Sequence, residues 1–396
     1  MLVEKSFPYN AIKYAMELIS TPSLSGMERD IAYLIKDLLS REGVDKVFID
    51  SYGSVVGVLE GGIDKTIVLE GHMDHVPPGD RSLWRIDPYK PVVIDGLLYG
   101  RGSADMKGAI ASMIASISLV NKAKDLPTTY YVFVPYEEIA EGLVFKYTIE
   151  DSLGIEPDLV VLGEATSLNI SLGQRGRAVI YIEVLGKTAH ASMHYQGINA
   201  LAISAKIINS VVELDKRLPS HGILGKSTIV PTIISCKPES PPMIPDYCRI
   251  IVDRRFIVGE DKDSIVSEVE KAVKTTSLER GARGYRVGIV EELARMWTGR
   301  ELKAIHYFPA WLQWNNIYGD KALDMIRQEI VSNAEKIVWR FSTDGVYSAG
   351  EAGYNTIGFG PAMEELAHKP NEYVPVKHLE KATIGYRLLV SKIFKN

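Results

Sequence analysis

Cysteine is nearly absent from this 396-residue chain: Cys236 and Cys248, twelve positions apart, are the only two. A pair cannot form a disulfide framework, and this spacing belongs neither to a zinc finger nor to a redox motif. Both are expected to be reduced, structural residues. An excess of positive charge is also missing. Against 45 basic residues stand 50 acidic ones, a formal charge of −5. Nothing electrostatic therefore recruits nucleic acid or an acidic membrane. No stretch approaches the roughly 18 apolar residues of a membrane span. The opening MLVEKSFPYNAIKYAMELI has no apolar signal core and no small-residue cleavage site, so the expected location is cytoplasmic. No internal repeat or low-complexity tract is present.

What is there is a patterned α/β chain. Apolar residues recur at helical spacing from Ala11 to Ile19. Ser25 and Glu28 have capping-box spacing ahead of Ile31, Leu34, Ile35, Leu38 and Leu39, which predicts a second helix. Short β-rich runs follow at 54–59, 66–69, 130–134 and 159–162, separated by glycine-rich loops and by a helical stretch at 108–120. Strands alternating with helices predict a mostly parallel sheet covered on both faces. After Gly173 the pattern changes. The order becomes strand (178–184), helix (199–214), two strands (227–234 and 249–256), helix (263–275) and strand (285–289), a ferredoxin-like α+β unit. Beyond it, 321–331 reads as helix and 356–359 as a buried strand. The expected architecture is one α/β domain, residues 1–175 and 293–396, interrupted by an inserted domain over 176–292.

Residues able to bind metal follow directly on the predicted strands. The run 66–69 leads into Gly71-His72-Met73-Asp74, 130–134 into Glu137-Glu138, and 159–162 into Gly163-Glu164. The loop Gly100-Arg101-Gly102 to Asp105-Met106-Lys107-Gly108 delivers Asp105 to a helix start, and His368 follows a glycine-rich turn. Ligands in open α/β sheets bind beyond the carboxyl ends of the strands. A single His-x-Asp or Glu-Glu pair is usually ordinary surface; several segments delivering such residues to one edge are not. Residues two apart in an extended segment share a face, so Asp74 can reach the ring nitrogen of His72 that faces away from a metal. His75 points the other way. Of Glu137 and Glu138, one can bind metal and the other can take a proton from water. Asp105, Glu138 and Glu164 set three negative charges against the four of two divalent ions, which favours a bound hydroxide. Nitrogen and oxygen ligands without thiolate suit zinc, and also cobalt or manganese.

Assembled, these residues resemble the co-catalytic metallopeptidase family of acetylornithine deacetylase, succinyl-diaminopimelate desuccinylase, carboxypeptidase G, aminoacylase and related dipeptidases. The resemblance spans nearly the whole chain. It includes Gly186-Lys187-Thr188-Ala189-His190-Ala191-Ser192, Asp253-Arg254-Arg255 and Ala367-His368 besides the motifs above. It implies that His72, Asp105 and Glu164 bind one metal, and that Glu138, Asp105 and His368 bind the other, with Asp105 bridging. It implies Glu137 as general base and Asp74 as the partner of His72. It makes the inserted domain a lid that dimerises, so a homodimer is expected. It gives His190 as the lid histidine that steadies the oxyanion in a neighbouring subunit's site. Arg255, or its neighbour Arg254, is then the arginine for a substrate carboxylate. Ser342-Thr343-Asp344-Gly345 matches a loop that contacts substrate. Two places depart from the family pattern. Tyr136 stands where many relatives have an acidic or small polar residue, and Met193-His194-Tyr195-Gln196 replaces a small residue and proline.

The expected activity is hydrolysis of the amide bond of an N-acyl amino acid carrying a free carboxylate, of deacetylase or desuccinylase type. The alternatives are a dipeptidase or carboxypeptidase of the same family or, in another class, a metal-dependent binding protein without catalysis.

Overall fold

A computed structural model describes residues 7–120 and 125–395. The start of the N-terminal stretch read above for a leader lies outside the described residues. The chain divides into two compact units. One comprises residues 1–174, 293–302 and 312–396; the other comprises 175–292 and 303–311.

The first unit is built on a nine-stranded sheet. At its centre Thr128–Val134, Thr66–His72, Leu159–Leu162 and Thr356–Gly358 lie side by side in parallel. Val55–Leu59 and Lys46–Ile49 extend one side antiparallel, and Ile170–Gln174 adds to the other. The sequence of these strands dictates their place. Leu159–Leu162 and Val55–Leu59 are buried at every position, as continuous apolar runs must be when both faces are covered. Helix Lys107–Ser116 is buried along its whole length and packs against Phe7–Ile19 and Val376–Lys392. Its small residues permit this: a side chain at Gly108 would meet the Ser103 carbonyl at 2.5 Å. Gly163 is likewise required, because a Cβ there would come within 2.3 Å of the Met113 side chain.

The predicted capping box at the second helix does not form. Helix Arg29–Glu42 begins with Glu28 at its N-cap, but no side chain caps it. Ser25 donates to Asp74 instead, and the Glu28 carboxylate accepts from the N–H groups of Gly26 and Tyr136. Asp74 draws Ser25 away from the box, and Gly26 and the distant Tyr136 draw Glu28.

The second unit is an antiparallel sheet in the order Thr228–Lys237, Tyr247–Phe256, Gly176–Leu185, Gly284–Ile289, which is the ferredoxin-like arrangement. Helices Ala200–Asp215 and Lys262–Glu279 cover one face, burying Ile180, Ile182, Ile250 and Val252 against Ile207, Val211, Val269 and Val273. Asn199 caps the first helix, and Asp261 with Ser264 forms a capping box on the second. The unit also takes in 303–311, because Tyr307–Phe308 pairs with Arg177 and Ala178 of the Gly176–Leu185 strand. One expectation is overturned here. Cys236 and Cys248 are not free thiols but a disulfide. Strand register explains it: the two residues sit directly opposite each other in neighbouring antiparallel strands. Among the described residues, no helix is long and apolar enough to cross a membrane.

Candidate metal centre

The carboxyl ends of the central parallel strands converge. Thr66–His72 ends on His72, the Thr128–Val134 strand runs into Glu137 and Glu138, and Leu159–Leu162 runs through Gly163 into Glu164. His72 is buried and its two ring nitrogens have different surroundings. Nε2 lies 2.9 Å from Asp105 Oδ1, 3.6 Å from Glu164 Oε1 and 4.0 Å from Glu137 Oε2. The other oxygen of Asp105 lies 3.1 Å from His368 Nε2, which is also 2.9 Å from Glu138 Oε2. Asp105 therefore presents one oxygen to each of two histidines. The ligand atoms of His72, Glu137 and Glu164 lie within 4.8 Å of one another, as do those of His72, Asp105 and Glu138.

The electrostatics are those of a cation site. Burial, reinforced by neighbouring acids, pushes Glu137 and Glu164 well above the ordinary carboxyl range. Burial also raises Glu138. Asp105 goes the other way. Burial opposes its ionisation, but hydrogen bonds with His368 and His72 outweigh that and hold it low. Those bonds to Asp105 and Glu138 push His368 up to about 10. For His72, burial favours the neutral ring, yet Glu137, Asp105, Asp74 and Glu164 together raise it. Glu137 Oε1 and Glu164 Oε2 are buried without a hydrogen-bond partner. Buried carboxylates in this state are costly unless a cation neutralises them. Two imidazoles and a set of carboxylates suit a divalent metal of the zinc, cobalt or manganese kind.

Asp74 sits beside the second ring nitrogen of His72. Its carboxylate lies 3.6 Å from His72 Nδ1, and the nearer contact of that nitrogen, at 3.0 Å, is the Asp74 carbonyl. The carboxylate itself accepts the N–H groups of Glu137 (3.1 Å) and Glu138 (3.2 Å) and the Ser25 hydroxyl (2.6 Å). It ties the glutamate pair to the His72 strand. His75 stays outside the cluster: Ser23 N–H donates to its Nε2, its Nδ1 faces the Val76 carbonyl, and burial lowers it to about 3.

Some contributors left little trace in the sequence. Buried Glu372 accepts from the N–H groups of Ala104 (2.8 Å) and Asp105 (3.1 Å) and pairs with Arg101 at 2.6 Å, so it aims the Asp105 loop. The one available signal was its position four residues after His368. Lys107, wholly buried, donates to the carbonyls of Leu18 and Thr21, and burial lowers it to about 7. Thr343 and Asp344, expected in a substrate-contacting loop, are buried. Thr343 donates to Gln174, and Asp344 accepts from the Gly142 N–H and faces Glu70.

His190, Arg254 and Arg255 belong to the second unit. His190 is exposed, and its Nδ1 accepts from the Ser192 N–H (3.2 Å) with the Ser192 hydroxyl at 2.7 Å. Strand alternation separates the arginines. Arg254 is fully buried and paired with Glu260, whereas Arg255 lies on the opposite face, held by Asp253 at 2.8 Å.

A cluster of two histidines and largely buried carboxylates at the ends of parallel strands is the ligand set of a metal-dependent enzyme, and the comparisons make the class a metallohydrolase. Residues 68–392 match the model of peptidase family M20/M25/M40, and the chain belongs to that family. It is 32% identical over 392 residues to the Escherichia coli K12 protein YgeY, covering 98% of this chain and 95% of the relative. It is 26% identical over 287 residues to succinyl-diaminopimelate desuccinylase 2 of Shewanella loihica, covering 69% and 75%. Among solved structures, aminopeptidase PepT of Bacillus cereus superposes with a TM-score of 0.75 at 21% identity, covering 98% of this chain and 99% of PepT. The Bacillus subtilis YXEP protein, a dinuclear metal-binding peptidase, gives 0.71 at 15% identity and 98% of both chains.

Proposed function

We propose that the chain is a two-metal amidohydrolase that cleaves the amide bond of an N-acyl amino acid. The observation that carries this reading is Asp105, which offers one oxygen toward His72 and the other toward His368. His72, Asp105 and Glu164 would hold one cation, and Glu138, Asp105 and His368 the second. Zinc is the first candidate for both. Bound there, divalent cations supply Lewis acidity, making water a nucleophile at neutral pH and polarising the amide carbonyl.

The protein's own groups do the rest. Glu137, buried and with one oxygen unpartnered, takes the proton of the attacking water and returns it to the leaving amine. Asp74 holds the N–H groups of Glu137 and Glu138 and so keeps the pair in place. His190 uses Nδ1 as an acceptor, which leaves Nε2 to carry the proton and donate to an oxyanion in a neighbouring subunit's site. Arg255 takes a substrate carboxylate by exchanging its bond to Asp253. The edge strand Thr228–Lys237, paired among the described residues only with Tyr247–Phe256, exposes Val230, Ile233 and Ile234, which supports pairing with a second copy as a homodimer.

The test is a hydrolysis panel of N-acetyl- and N-succinyl-amino acids beside dipeptides, with added zinc, cobalt or manganese and a chelator control. Faster turnover of dipeptides than of all acyl amino acids would replace the deacylase reading with a dipeptidase one. Glu137→Ala should keep its metals and lose about 10²–10⁴-fold in kcat. Activity that survives complete metal removal would refute the mechanism.

A further inference from the structure

The predicted capping box that fails to form has another use. Glu28 sits at the N-cap of Arg29–Glu42, a helix anchored by buried Ile31, Ile35, Leu38 and Leu39. A side-chain cap at that position would stabilise its own helix. Glu28 forgoes this. Its fully buried carboxylate uses one oxygen, Oε1, to accept two backbone N–H groups, from Gly26 at 2.8 Å and from Tyr136 at 3.1 Å. Tyr136 has φ +68°, a left-handed conformation that bulky residues avoid. It immediately precedes Glu137 and Glu138, whose N–H groups go to Asp74. Asp74 is in turn held by Ser25, the other half of the failed capping box. The turn that carries the glutamate pair is thus gripped from two sides by one short segment, 25–28.

We propose that Glu28 is a positioning residue for the reaction: it holds Tyr136 in the left-handed conformation and so sets the direction of the Glu137 carboxylate. This rests on Glu137 being the general base. The clamp, rather than the residue type, keeps the backbone in its unusual conformation.

Reach distinguishes this role from mere burial of a carboxyl group. Glu28→Gln keeps an oxygen acceptor at the same distance, whereas Glu28→Asp keeps the carboxyl group but withdraws the oxygen by one methylene. The first readout is amide hydrogen exchange of the 136–138 segment in metal-free protein, followed by mass spectrometry. Glu28→Asp should raise exchange there by about tenfold or more while Glu28→Gln leaves it near wild type. The second readout uses whichever acyl amino acid or dipeptide of the panel the wild type hydrolyses. Glu28→Asp should lose about 10–100-fold in kcat, with KM and metal content unchanged, and Glu28→Gln should recover most of it. Unchanged exchange in Glu28→Asp, or greater damage from Gln than from Asp, overturns the clamp. A Glu137→Ala variant that still turns over would instead remove the base assignment, and the exchange measurement would judge the clamp independently.

Discussion

Each unit buries charge, and one site in each treats it in opposite ways. In the second, fully buried Arg254 donates to Glu260 and to the Arg255 carbonyl, with Glu268 at 3.8 Å. The Arg254 guanidinium meets its counter-charge within the same unit. In the first unit, Glu137 and Glu164 keep oxygens with no protein partner, and Glu138 shares His368 with Asp105. A buried ion that the protein neutralises is structure. A buried ion that the protein leaves short of positive charge is a place for something the chain does not itself supply. The disulfide and the capping box of the second unit belong to the same contrast, since they stabilise a fold and leave no group unsatisfied.

Experiments can break that contrast or sharpen it. The largest effect is expected at Asp105. Asp105→Ala removes the shared carboxylate, so metal content should fall on elemental analysis and kcat should drop by about 10³-fold or more. Retention of both metals would break the reading of Asp105 as a bridge. Next comes Arg254→Ala, which removes a fully buried guanidinium and leaves half-buried Glu260 with only Ser227 and the Ile257 N–H as partners, and should cost the second unit about 3 kcal/mol in denaturant unfolding. A loss confined to catalysis, with stability intact, would move Arg254 from structure to substrate binding. Arg255→Ala should leave stability within about 0.5 kcal/mol. Its effect should be a raised KM for substrates with a free carboxylate, about 1.5–3 kcal/mol in kcat/KM, and little change for amidated ones.

The smallest effect concerns His75, buried neutral and lowered from 6.5 to about 3. The folded state does not protonate it over the range in which the unfolded chain does. Its share of stability is therefore present above pH 6.5 and is lost as the pH falls from 6.5 toward 3. His75→Gln should flatten the decline of Tm between pH 7 and pH 5, even if its Tm at pH 7 is lower. An unchanged slope would mean that other groups govern the acid limb.

The strands were legible because their patterns are local. Leu159–Leu162 is apolar at four consecutive positions, and Gly176–Leu185 alternates along its length. The metal-binding candidates were legible because they follow those strands directly: His72, Glu137, Glu138 and Glu164 can be placed at one edge by counting from a strand end. Arg254 and Arg255 were not separable, since the register deciding which faces the helices is a property of the paired sheet. The same applies to Cys236 and Cys248, whose spacing of twelve says nothing until a hairpin sets them opposite each other.

By itself the sequence determined the two architectures, the family, and the kinds of side chain delivered to the sheet edge, because periodicity and short motifs encode those within a few residues. Only the tertiary structure decided what aims them. Glu28 reaches Tyr136 across 108 positions, and Glu372 reaches the Asp105 N–H across 267. A hydrogen bond to a backbone N–H places no demand on the identity of the donor residue, so these contacts leave no pattern along the chain and arise only when it folds.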